Sequence, residues 1–331
     1  MTPGTLEFEG TIDPNQFWPE SGKTKNRFDS DADTVKVLIR DQGNVTFRFK
    51  GKGTRALNDA GFWHKDKKKK DKFDPVIGKD RIITIRLQGV DAPELHYQGY
   101  RQRMGETSTV QLLKFLNTHA ANGVVRCRVS TRNVRVPNDV FDVYGRFVGE
   151  IEVISKKPGL KNLNNWLLAN GFAYPSFYDS MLNPEIERMS KLAVPPSKAP
   201  SNVWKYYTEH VQALDRTLRH KKTDSYDEKP DRHKPVLNPK IFRRLVKFEI
   251  QDKNNFTTQT FNDYLRREST PNHDFYYLKT DFLKERKNAP HQSIELLVRA
   301  SGKVTAGPQD VVYFERPTHL KNSKKEEISS F

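Results

Sequence analysis

One stretch constrains the fold of this chain more than any other: Arg81-Ile-Ile-Thr-Ile-Arg86-Leu-Gln-Gly-Val-Asp91-Ala-Pro-Glu94. Ile83, Ile85 and Leu87 recur at period two, the spacing of one strand face, so Thr84, Arg86 and Gln88 point the other way. Pro93 fixes its own φ and biases Ala92 to an extended backbone, which leaves little freedom between the carboxylates of Asp91 and Glu94. The Asp91 carboxylate, the Ala92 carbonyl and Glu94 then present hard oxygens near the Arg86 guanidinium, a place to hold a divalent cation against a phosphate. Asp91-x-x-Glu94 also reads as a capping box. The following Leu95-His-Tyr-Gln-Gly-Tyr100 lacks a helical apolar period and weakens that reading.

The charge balance narrows the partners. In 331 residues, 57 Lys and Arg face 41 Asp and Glu, a formal net charge of +16. This excess fits a polyanion, and nucleic acid is favoured over an anionic membrane because there is no basic amphipathic helix or long apolar run. The single cysteine, Cys127, alternates with Val125 and Val129 on a strand face and excludes an intrachain disulfide and a cysteine-built zinc site. Met1-Thr-Pro-Gly has neither a basic n-region nor an apolar h-region, so an intracellular (cytoplasmic) location with no signal peptide in this chain is expected.

The chain divides by pattern. Leu6–Ile12 alternates as a first strand. Asp31-Ala-Asp33-Thr-Val-Lys follows Asp29 and feeds a second strand ending at Ile39; the close aspartates suit either a neighbouring cation or a solvated Asx turn. An insertion at about residues 41–80 carries Lys67, Lys68, Lys69 and Lys70 within a charge run that reads either as a solvated loop or as a phosphate-tracking surface. Gly105 to Ala121 has a helical stripe of Val110, Leu113, Leu116 and Ala120. Asp142-Val-Tyr144-Gly145-Arg146 is a turn opening a further strand, and Leu163, Trp166 and Leu167 mark a second helix stopped by Asn170-Gly171. The prolines between Pro195 and Pro200 interrupt the pattern.

Residues 217–240 read as a linker, and residues 241–331 as a basic α+β accessory domain. There Val246, Phe248 and Ile250 alternate like a strand, as do Ile294, Leu296 and Val298, while Phe261, Tyr264 and Leu265 have helical spacing. Residues 216–331 hold 24 Lys and Arg against 16 Asp and Glu, so the positive excess is shared between the halves. No catalytic motif is evident in this last part, which leaves a protein partner open for it.

Three stretches in order, Asp31-Ala-Asp33-Thr-Val-Lys, Arg86-x-x-x-Val-Asp91-Ala-Pro-Glu94 and Asp142-Val-Tyr144-Gly145-Arg146, together resemble the thermonuclease, or staphylococcal nuclease-like, family over about residues 5–210. The resemblance implies an α+β fold: an OB-type five-stranded β-barrel with helices, here followed by a second small α+β domain. It also implies a sugar-nonspecific endonuclease that hydrolyses phosphodiester bonds of DNA or RNA with Ca²⁺, or with Mg²⁺ or Mn²⁺. By the same resemblance, Asp33, Asp91 and the Ala92 carbonyl would ligate the metal, Glu94 would reach the attacking water, and Arg86 and Arg146 would grip the phosphate. Tyr144 would bind a phosphate or stack on a base, and the family's nucleotide-pocket tyrosines match Phe177 or Tyr178 loosely. Ala32 stands where the family usually has glycine, Ala92 where it often has threonine, and Val143 where it commonly has a basic residue. Two rival functions share this fold: a non-catalytic nucleic-acid or protein binding module, and a nuclease effector gated by its C-terminal domain.

Overall fold

The computed structural model describes residues 4–17, 31–40, 45–49, 53–57, 60–64, 72–77, 81–95, 97–134, 136–193, 202–211, 237–252, 260–269, 274–316 and 318–328. The first half opens with β1 (Gly4–Ile12) and β2 (Thr34–Ile39), and the insertion contributes β3 (Val45–Phe49), β4 (Gly53–Leu57), β5 (Ala60–His64) and β6 (Lys72–Pro75). Then come β7 (Ile82–Leu87), β8 (Val90–Asp91), α1 (Gly105–His119), β9 (Val125–Val134) and β10 (Phe147–Val153). They are followed by α2 (Leu163–Ala169), β11 (Tyr174–Pro175), β12 (Phe177–Tyr178) and α3 (Asn183–Leu192). The C-terminal half holds α4 (Pro239–Lys247), α5 (Phe261–Ser269), β13 (Phe275–Leu278), α6 (Lys279–Glu285), β14 (His291–Ser293), β15 (Val311–Tyr313) and β16 (Leu320–Asn322).

Five strands close into a mixed barrel in the order β1-β2-β7-β10-β9, in which β10 and β7 run parallel and the other neighbours antiparallel. This is the OB-type α+β barrel that the resemblance implied. Ile83, Ile85 and Leu87 are buried, as are Val35, Val37 and Ile39 of β2 and Val125, Cys127 and Val129 of β9. Each strand thus gives alternate residues to one apolar interior. Burial pushes the Cys127 thiol up to about 12, so it stays protonated and acts as a small hydrophobe. Leu112, Leu113, Phe115 and Leu116 of α1 join the same core, as do Leu163, Leu167 and Leu168 of α2. A left-handed Gly171 (φ 67°) follows the end of α2.

The C-terminal half corrects several sequence readings. Val246 lies in α4, and Phe248 and Ile250 in a π-helical continuation, Phe248–Asp252, so this alternation is helical rather than extended. Residues four apart share a helix face, and Val246 and Ile250 can therefore mimic a strand pattern over five residues. Ile294–Leu297 is a 3₁₀ turn with Leu296 57% exposed, which explains why its alternation builds no strand. The C-terminal end of the expected linker is helical, because Asn238 accepts from the Lys240 N–H at 2.9 Å and Pro239 occupies the first turn of α4. α3 and β13 had no expectation from the sequence; Ile186 and Met189 of α3 and Tyr277 of β13 are buried in the same apolar cluster as the barrel. Phe261–Ser269 forms the helix that its spacing suggests.

A second sheet in the order β12-β15-β13-β14 joins the two halves, with Phe177 opposite Val312 and Tyr178 opposite Tyr313. Tyr277, Phe282, Ala289, Val312 and Leu320 belong to the barrel's apolar core, whereas Ile241, Phe242, Leu245, Tyr264 and Tyr276 form a separate cluster. β16 pairs with β5 of the insertion. Lys67, Lys68, Lys69, Lys70 and the Pro195–Pro200 stretch lie outside the described residues.

Candidate functional site

The polar face of β7 and the start of β2 meet at one end of the barrel. Thr34 pairs with Arg86 across the sheet, and Leu87 donates its N–H to the Asp33 carbonyl at 2.8 Å. A turn at Gln88-Gly89 reverses the chain into β8, where Asp91 pairs with Tyr174. The carboxylates therefore converge: Ala92 N–H donates to Asp33 Oδ2 at 2.8 Å and Leu95 N–H to Asp31 Oδ1 at 2.6 Å. Among the described residues no helix follows Asp91 until Gly105, which rules against the capping-box reading. A Cβ at Gly105 would meet the Glu94 carbonyl oxygen at 2.7 Å, and glycine there lets α1 start against the acidic turn.

Arg86 lies between two carboxylates. It pairs with Asp33 and donates from Nη2 to Asp91 Oδ1 at 2.7 Å. Arg146 comes from the turn before β10. It bonds Asp142 through Nε at 2.7 Å and reaches Thr34 Oγ1 through Nη1 at 3.2 Å. Asp142 also accepts from the N–H of Tyr144 and of Arg146, and Gly145 takes a left-handed φ of 78° to close this turn. Tyr144 is 70% exposed, with its ring centroid 5.4 Å from the Arg146 Cζ. The sequence-derived set Asp33, Arg86, Asp91, Ala92, Glu94, Tyr144 and Arg146 is thus gathered at one place.

The sequence reading missed a further arginine. Arg243 of α4 donates from Nη2 to Asp91 Oδ2 at 3.0 Å and from Nη1 to Asp91 Oδ1 at 3.2 Å, and it also bonds Glu94. Gln102 ties the same two segments: its Oε1 accepts from Glu94 N–H at 2.9 Å and its Nε2 donates to the Leu237 carbonyl at 2.8 Å. A signal for this did exist. Lys240, Arg243, Arg244 and Lys247 recur at the 3,4-spacing of one helix face, and Ile241, Phe242, Leu245 and Val246 fill the other. The Asn238-Pro239 start was also readable.

Burial and charge set the protonation of the acidic side chains. Burial pushes Glu94 up to about 7, aided by Asp91 and Asp33 and opposed by Arg243. Asp31 is raised well above the usual carboxylate range by burial and then by Glu94 and Asp33. Burial acts in the same direction on Asp91, but Arg243 and Arg86 outweigh it and hold its carboxyl below the usual range. Burial also raises the Tyr178 hydroxyl, which lies beside Asp91 and Arg86.

The donor chemistry of Asp33, Asp91 and the Ala92 carbonyl is that of a hard-cation site, but this arrangement does not fit a metal ion. Both oxygens of Asp91 accept from guanidinium groups, and Glu94 accepts from Arg243. Among the described residues, no group of three or more His, Cys, Asp or Glu is placed to hold a metal ion. Arg243 supplies positive charge where a cation was expected.

A cleft of about 480 Å³ opens over these groups, lined on the barrel side by Arg86, Glu94, Tyr144 and Arg146 and on the other side by α4. The closed five-stranded mixed barrel with its helices is a staphylococcal nuclease-like, OB-type α+β fold. Residues 84–206 match the family model of staphylococcal nuclease homologues. Arg86, Asp91, Ala92, Glu94, Tyr144 and Arg146 fall inside the match, and Asp33 precedes it. No curated protein matches the chain. Among the described residues, no helix is long and apolar enough to cross a membrane.

Proposed function

We propose that this chain is a sugar-nonspecific endonuclease that hydrolyses phosphodiester bonds of DNA or RNA in this cleft. The observation that supports the reading most directly is that Arg86, Arg146 and Glu94 line one cleft although they come from separate strands and turns. Cleavage concentrates negative charge on the phosphoryl group, and two arginines with multiple N–H donors stabilise that charge as it develops. Asp33, Asp91 and Asp142 hold these arginines in place, so little reorganisation is needed during reaction. Glu94, with its pKa raised to about 7, exchanges a proton near neutrality and is suited to take one from the attacking water. It must leave Arg243 to do so. Tyr144 offers an exposed ring for a base.

The placement of Arg243 favours a second reading, a nuclease gated by its C-terminal segment. In that reading the bonds from Arg243 to Asp91 and Glu94 describe the closed state. One assay tests both readings. Single-stranded DNA, duplex DNA and RNA are incubated with the purified chain in Ca²⁺, Mg²⁺, Mn²⁺ or chelator, beside Arg146→Ala. Cleavage lost in Arg146→Ala is expected. Binding without cleavage under every condition would replace the enzyme with a binding module, and cleavage that appears only in Arg243→Ala would select the gated form.

A further inference from the structure

The cleft has a second wall that the nuclease-like region does not supply. Lys240, Arg243, Arg244 and Lys247 of α4 line it together with Arg316, which follows β15. At 100° per residue these helix positions fall within one face. Arg243 is held by Asp91 and Glu94, whereas the other basic residues face a different counter-charge. Asp274, 1% exposed, bonds Arg244, accepts from Arg316 Nη2 at 3.1 Å and lies 3.8 Å from Lys240 Nζ. One carboxylate thus serves three cations.

The ionisation of the lysines reflects this imbalance. Lys240 is brought down to about 8 by burial and by Arg316, Arg244 and Arg243, with Asp274 opposing. Lys247 is lowered by burial and then by Arg244 and Arg316, against Asp274 and Glu268. Glu315 also lines the cleft, but burial lifts it to about 7, so it is an incomplete counter-charge at neutral pH. Positive charge crowded into a desolvated wall is relieved by an anion. Asp274 has two oxygens to offer, whereas each guanidinium carries five N–H donors.

We propose that the α4 face of Lys240, Arg244 and Lys247, with Arg316, is a phosphate-binding subsite that holds the sugar-phosphate backbone of a nucleic acid beside the phosphate gripped by Arg86 and Arg146. This rests on the nuclease reading for the identity of the gripped phosphate. Nucleic acid is favoured over an acidic peptide because Tyr97, Tyr144 and Tyr178 line the same cleft, and aromatic rings beside a cationic track stack bases. The C-terminal segment then extends the site along the strand.

The test measures binding, so it does not depend on turnover. A fluorescein-labelled, phosphorothioate dT12 is titrated with the full chain in chelator at a series of salt concentrations and followed by anisotropy. Each phosphate contact on a single strand contributes about 0.7 to the slope of log K against log salt. Lys240→Gln with Lys247→Gln is expected to reduce the slope by about 1.4, and Lys247→Gln alone by about 0.7. The single variant carries the test if replacement of buried Lys240 disturbs folding. An unchanged slope in a Lys247→Gln protein that melts like wild type would overturn the proposal, as would displacement of dT12 by poly-glutamate as readily as by unlabelled dT12. If unmodified DNA is never cleaved but the slope falls as expected, the nuclease reading fails and the subsite stands.

Discussion

The barrel and the C-terminal half differ in how their sequence patterns became structure. In β2, β7 and β10, alternate residues are buried in register with the apolar period, and each strand has a barrel neighbour on both sides. In the C-terminal half, similar alternations at Val246–Ile250 and Ile294–Val298 lie in helical or 3₁₀ turns. A closed barrel gives every strand one inside and one outside, so period two has a consistent meaning there. The C-terminal half instead borrows β12 to complete its sheet and shares part of the barrel core. Its short segments are assigned by their neighbours, and local pattern counts for less.

The sharpest way to break this comparison is at Arg243, where the C-terminal half enters the barrel's acidic end. Arg243→Ala leaves Asp91 with Arg86 and takes from Glu94 the guanidinium that it bonds, and removing one partner of a buried pair costs about 3–5 kcal/mol. Denaturant unfolding should show that loss, and a divalent cation should restore more stability to the variant than to wild type. Equal cation responses would argue that the carboxylates cannot accept a metal even when the guanidinium is gone.

Arg146→Ala probes the barrel side. Its guanidinium is 29% exposed and held by Asp142, so the variant should fold while turnover falls about 10²–10³-fold. Full-rate cleavage by a normally melting variant would remove Arg146 from the mechanism. Gln102→Ala cuts a neutral link between the halves and leaves the Glu94 N–H and the Leu237 carbonyl without that partner, for a cost of about 1–3 kcal/mol. If the two halves then melt separately by near-ultraviolet and far-ultraviolet signals, the coupling between them runs through this side chain.

On stability, as distinct from turnover, Glu94→Gln should have the gentlest effect. The folded pKa of Glu94 is raised from 4.5 to about 7, so the folded state holds a proton more tightly than the unfolded chain. That contribution is complete below about pH 4.5, the ordinary value of a glutamate, and is lost as pH rises through about 7. Glu315, also raised to about 7, acts in the same direction. Stability should therefore decline between those values, and Glu94→Gln should flatten the decline by at most about 1.4 kcal/mol per pH unit, the limit for one proton. A slope that stays the same in the variant would mean that Glu94 does not titrate in this range.

Much of the barrel and its acidic end was legible in residue order. Three local rules sufficed: alternation for β7, Pro93 for the rigid turn, and the Asp142–Gly145 turn for Arg146. Each concerns residues close in the chain and reaches as far as Arg86, Asp91 and Glu94, whereas Asp33 and Arg146 joined that set through the resemblance alone. Arg243 was different. Its helix carries a readable start and an amphipathic pattern, but contact with Asp91 spans 152 positions and no local rule names that partner. The expected cation illustrates the same limit. Sequence specified carboxylates capable of taking positive charge, and the docking of α4 decided that a guanidinium supplies it. Local backbone preferences and apolar period are fixed by neighbours in the chain, whereas the pairing of buried charges depends on which distant surfaces exclude water together.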